Sequence, residues 1–210
     1  MLNVQVYQLY RFFETERVGT MMTDTAALST RAVVTNRDDD HLGSYEAGPG
    51  QTVTRFGASA DVVAASPNGL QNAADFSRGD QGPLDAQTEV VALTPDGATL
   101  SSAGQQFDVR LPAKGLHYAV DAAAAVQTAS VVLGRPVDPA AVQRAFSSMK
   151  PAYGRGERMP LGGDEAEFIM FKNAASLQLN LDALPQDAEQ VLLAIDEGTP
   201  DISWIYDIDF

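Results

Sequence analysis

Residues 116–133 form an alanine-rich run, apolar over a broad face, closed by Gly134 with Pro136 just beyond. A glycine there can take the left-handed conformation that ends a helix, and the proline cannot continue it, so the run predicts a helix with a defined stop. A helix apolar around so much of its girth must be covered by a second layer of structure.

Candidate strands lie on both sides of that helix. Ala32-Val33-Val34-Thr35 reads as a buried strand ending in the polar turn Asn36-Arg37-Asp38-Asp39-Asp40. Residues 4–16 carry Val6, Leu9, Tyr10 and Phe13 at helical spacing; Gly19 interrupts the pattern, and residues 20–29 read as another short helix. Residues 52–56 and 61–64 are expected as short strands. Residues 88–93, the turn Pro95-Asp96-Gly97, and residues 98–101 and 106–111 read as an antiparallel meander, with Asp-Gly as the hairpin signal. A second helix starts at Asp138 as N-cap with Pro139 in the first helical position, and runs to about Met149. Residues 150–163, rich in proline and glycine, are expected to connect two domains. Beyond them a βαβ unit is expected: a buried parallel strand at Phe168-Ile169-Met170-Phe171, a crossover helix over 174–184, and a strand over 191–195. The rim at the C-terminal ends of such strands, where open α/β sheets place ligands, carries Lys172, Asn173 and residues 196–201.

With 210 residues and 45% hydrophobic composition the chain can bury a substantial core. It lacks any cysteine, which excludes disulfides, thiol nucleophiles and cysteine-ligated zinc; with two histidines, a histidine-rich metal site is not expected. A net charge of −14 disfavours nucleic acid and anionic membrane surfaces as partners. With no apolar run near the ~20 residues of a membrane span and no basic-then-apolar leader, a cytoplasmic location is expected.

Chemistry has few places to reside. No G-x-x-x-x-G-K-S/T loop occurs, so the chain by itself is not expected to be a complete P-loop ligase. Clustered carboxylates at Asn36–Asp40 could hold a divalent cation or a ribose hydroxyl, or form a solvated turn. Gly154-Arg155-Gly156-Glu157-Arg158 offers two guanidiniums suited to phosphate or to salt bridging. His117 begins the long helix, as a packed or capping residue or as part of a site. Asp201, before Ile202-Ser203-Trp204, could orient a histidine as the third member of a triad, or cap a short helix.

Four stretches resemble the MurT-like proteins of the Mur ligase family. Asn3-Val4-Gln5-Val6-Tyr7-Gln8-Leu9-Tyr10-Arg11-Phe12-Phe13-Glu14 is similar to that family's N-x-x-R-D-Q-L-x-R-Y-G-E, with Val6, Tyr7 and Phe13 in place of Arg, Asp and Gly. Asn36-Arg37-Asp38-Asp39 resembles the N-A-D-D turn of the central domain. Phe107 to Pro112, Gly115-Leu116-His117 and Gly154-Arg155-Gly156-Glu157 resemble the segment closing that domain. Lys172-Asn173-Ala174-Ala175 and Asp201-Ile202-Ser203-Trp204-Ile205-Tyr206-Asp207-Ile208-Asp209-Phe210 resemble K-N-P-A-G and D-x-S-W-I/L-W/Y-D-x-D-F-E of its C-terminal domain.

The resemblance implies an α/β fold with a partial Mur ligase central domain over residues 1–150, a parallel sheet with helices plus a small antiparallel meander. A partial Rossmann-like C-terminal domain would follow over 151–210. It implies an ATP- and Mg-dependent carbon–nitrogen ligase that amidates the D-glutamate α-carboxylate of lipid II, using ammonia from a GatD-like glutaminase partner. In that reading Asp201 completes the glutaminase triad; Asn36, Asp38, His117, Asp121 and Arg155 lie near the nucleotide; and Lys172 and Asn173 lie on the C-terminal domain's rim. The departures are specific. The family's P-loop half has no counterpart in these 210 residues, nor has the second half of its C-terminal domain. Its four-cysteine zinc ribbon is lacking, and its H-N-x-x-N reads His117-Tyr118-Ala119-Val120-Asp121. A non-catalytic, partner-binding scaffold is the alternative expectation.

Overall fold

The computed structural model describes residues 1, 15–39, 41–66, 84–171, 174–182, 184, 188, 190–195, 205, 206 and 208. Helix α1 spans Thr15–Ala27, strand β1 Ala32–Asn36, β2 Thr52–Ala58, helix α2 Ala60–Ala64, β3 Thr88–Thr94, β4 Gly97–Ser102 and β5 Gln105–Arg110. Helices α3 (Leu116–Leu133) and α4 (Pro139–Ser147) follow, then β6 (Arg155–Leu161), β7 (Asp164–Ile169) and helix α5 (Ala174–Asp182). The first five strands form one sheet in the order β1-β2-β3-β4-β5. β1, β2 and β3 are parallel, while β3, β4 and β5 form an antiparallel meander. The expected α/β class, a parallel sheet carrying a small meander, is what the chain adopts.

The sheet has one dry face. Phe56 and Ala58 of β2, Val90 of β3, Ala98 and Leu100 of β4, and Phe107 and Val109 of β5 are buried against Leu116, Ala119, Val120, Ala123 and Val126 of α3. Alternation along each strand puts these residues on one side, and the alanines of α3 let the helix approach closely. The expected boundaries of this helix hold: Gly134 caps it in the left-handed conformation, at φ 64°. It is the one helix among the described residues long and apolar enough to cross a bilayer, and its apolar face lies on the sheet.

A buried bond anchors α3 to the sheet. Thr88, at the start of β3, donates through Oγ1 to Gln127 Oε1 at 2.9 Å. By the sheet register Thr88 stands level with Phe56 of β2 and with Asn36 at the end of β1, and His117 begins the helix about 15 Å along it from Gln127. α1 and β1 face one another across a cleft lined by Met1, Val18, Met22, Ala26 and residues 32–34.

Several expectations are corrected. Residues 61–64 lie in a helix, not a strand, because Ser59 caps it: its Oγ accepts from Val62 N. Gly19 does not break α1, since a Cβ there would sit 2.7 Å from His41 Cβ, and the close approach outweighs the helix cost of glycine, about 1 kcal/mol. Residues 155–161 are a strand instead of a connection, and Phe168 and Ile169 join an antiparallel hairpin instead of a buried parallel strand. Gly162 and Gly163, at φ 64° and 106°, close that hairpin locally, which a distant parallel pairing cannot match. Phe168 is consequently 41% exposed. Residues 191–195 take no strand pairing and Leu192 is 94% exposed, so the βαβ unit does not form among the described residues. The helix expected over residues 4–16 lies almost wholly outside the described residues.

Gly97 opens β4 where a Cβ would stand 1.9 Å from the Val109 carbonyl oxygen. Gly97→Ala is therefore expected to lower stability by about 2 kcal/mol or more in urea titration. Gly48→Ala, whose Cβ would meet Gln51 at an ordinary 3.4 Å, should change it little.

Candidate functional site

Polar side chains gather in two sets, one at the C-terminal end of β1 and one at the start of α3. The first follows β1. Asn36 Oδ1 accepts from Asp38 N at 2.9 Å, folding the chain sharply as it leaves the strand. That turn aims Asp38 across to β2, where Oδ2 accepts from Ala58 N at 2.6 Å. The approach requires Gly57, since a Cβ there would lie 2.6 Å from Asp38 Oδ2. Asp39 Oδ1 accepts from His41 N and Leu42 N, each at 3.0 Å. Thr35 Oγ1 donates to Leu42 O at 2.9 Å, so the loop is held at both ends.

Arg37 ties three strands together. Its guanidinium donates to Asp38 Oδ1 at 3.3 Å, to Ala58 O at the end of β2, to Leu84 O, and to Glu89 Oε1 of β3. Asn36, Asp38 and Asp39 are all buried, at 1%, 2% and 3% exposure. The turn reading, in which these Asp and Asn side chains cap backbone groups, holds, but the turn is buried and not solvated: backbone N–H groups and a guanidinium stabilise the charge as water otherwise would. Sequence reasoning missed Arg37 and Glu89, whose pairing across 52 positions leaves no local signal.

The second set surrounds the start of α3. Gly115 caps the helix at φ 117°, and a Cβ there would press on the His117 ring at 2.9 Å. His117 stacks at a tilt on Tyr118, ring centroids 4.1 Å apart. Burial, with the Arg155 guanidinium nearby, lowers the imidazole pKa to about 4, so the ring is neutral at pH 7. Its Nδ1 is buried without a hydrogen-bond partner. Burial also raises the Tyr118 phenol above its usual value, with Arg155 opposing. Asp121, one turn on, is exposed; the protein beneath it still raises its carboxyl somewhat by withdrawing water.

Arg155 reaches this cluster because β6 begins beside the loop before α3. A Cβ on Gly156, which sits at φ 84° in a bulge between Arg155 and Glu157, would stand 3.4 Å from Ala113 Cβ. Glu157 Oε2 is likewise buried without a partner. The structure thus brings His117 and Arg155 near one another with Asp121 one helical turn on, and holds Asn36 and Asp38 in a separate internal network at the end of β1. Among the described residues no three His, Asp or Glu side chains converge as metal ligands would. Asp201, Lys172 and Asn173 lie outside the described residues.

The chain is similar to several known ligases. Over 179 residues it is 28% identical to the UDP-N-acetylmuramoylalanine–D-glutamate ligase of Deinococcus radiodurans, covering 83% of this chain and 34% of the ligase. Its fold matches the pseudomurein peptide ligase type C of Methanothermus fervidus with a TM-score of 0.66 at 14% identity, over 89% of this chain and 41% of that one. MurF of Acinetobacter baumannii follows at 0.62 and 19%, over 87% and 36%. MurF of Thermotoga maritima, solved with ADP, follows at 0.58 and 16%, over 87% and 37%. No family model matches. The chain is Mur-ligase-like in sequence and fold, and it spans about a third of the length of the curated relative it matches.

Two measurements check the site. NMR titration is expected to give His117 a pKa near 4. Because the folded value lies below the unfolded one, about 6.5, the neutral ring stabilises the fold above pH 6.5, and that contribution is lost as pH falls through 4. His117→Gln should flatten this part of the pH–stability curve. Gly57→Ala should cost about 2 kcal/mol in thermal or urea unfolding, by forcing the Asp38 carboxylate off β2.

Proposed function

We propose that this chain supplies part of an ATP-dependent carbon–nitrogen ligase of the Mur kind, acting on a cell-wall peptide. The observation that carries the reading is the cluster at the start of α3, where His117 Nδ1 and Glu157 Oε2 are buried without partners. A neutral imidazole with an unspent Nδ1, a guanidinium from β6 and an unpartnered carboxylate oxygen fit the polar end of a nucleoside better than they fit a packed core. ATP would supply the energy that activates a carboxylate. The described residues hold no phosphate-cradling loop, so the part assigned to them is to bind and orient the nucleoside. Asn36 and Asp38, committed to backbone N–H groups and Arg37, would shape the rim under it.

The finer reading rests on the resemblance of Asp201–Phe210 and of Lys172-Asn173 to the MurT C-terminal domain. On it, the chain belongs to a glutamine-dependent complex that amidates the D-glutamate α-carboxylate of lipid II, with a GatD-like glutaminase docked near Asp201. Residues 1–150 would be the nucleotide-binding domain and 151–210 the partner-facing one. An acidic, cysteine-free chain suits that division, because the thiol for glutamine hydrolysis comes from the partner.

A second reading, a Mur-ligase-like scaffold that binds the partner without using ATP, is favoured by one observation. Asp121 stands where the family pattern has an asparagine, and a carboxylate repels phosphate where an amide would not. Calorimetry with ATP and Mg separates the two readings. On the first, binding occurs and Arg155→Ala weakens it by about tenfold, the range of a charge-assisted contact; absence of binding alongside retained partner capture supports the scaffold. The glutaminase assignment has its own check: Asp201→Asn should lower glutamine hydrolysis by the assembled complex at least ~10-fold with little change in partner affinity. Unchanged hydrolysis would remove Asp201 from the triad.

A further inference from the structure

We draw no further inference here: the strongest candidate, the apolar cleft between α1 and the outer edge of β1, carries none because nothing in the structure shows what covers it.

Discussion

The Arg37 guanidinium holds this sheet's functional edge together. Parallel strands end without the hairpins that tie antiparallel strands to one another, so their C-terminal ends need some other restraint. Arg37 provides it by bonding Asp38, the Ala58 carbonyl at the end of β2, and Glu89 on β3. A charge 10% exposed is costly unless every donor is used, and here the donors are spent on two carboxylates and two carbonyls. Asp38 in turn spends one oxygen on Ala58 N and the other on Arg37. The ends of β1 and β2 and the start of β3 therefore move as one body, and Gly57 is required because nothing larger leaves room for the carboxylate.

That restraint has a consequence for the second cluster. α3 rests on the same strands through Phe56, Ala58 and Val90, so a fixed strand edge fixes the height at which His117 emerges. Its imidazole is desolvated by the packing that orders it, and Arg155 adds a repulsive charge, which together keep the ring neutral. A neutral ring with a free Nδ1 can donate or accept according to tautomer, whereas an imidazolium could only donate. The site's chemistry thus follows from burial set by the sheet, and not from a catalytic motif.

Much of this was legible in the sequence, for reasons that differ by element. The α3 boundaries and the N-cap at Asp138 depend on adjacent residues, and both were readable. So was the meander, where Asp96-Gly97 sits between alternating runs. The β6–β7 hairpin was missed because Phe168-Ile169-Met170-Phe171 looks like a buried strand when its partner is unknown, while Gly162-Gly163 supplies the partner locally. Gly19 misled for the same reason in reverse: its meaning lies in His41, far along the chain. Among the candidate site residues, His117 and Arg155 are picked out by type and position, and the structure puts them near one another. The role of Asp38 is not picked out, because a buried carboxylate and a solvated one have the same letter, and only Arg37 reaching to β3 distinguishes them.

α3 and the turn after β1 are tied to the same stretch of one strand. Thr88 and Glu89 are consecutive in β3: the first holds α3 through Gln127, and the second holds the turn through Arg37. By the sheet register Thr88 also stands level with Phe56 of β2 and Asn36 of β1, so the bond to the helix and the bond to the turn brace the same height of the sheet. At its start the helix presents a neutral imidazole, with a guanidinium from β6 nearby and an aspartate one turn on. In a chain of net charge −14, most anions are repelled at long range, so an anion that binds there must be held by short-range, directed hydrogen bonds.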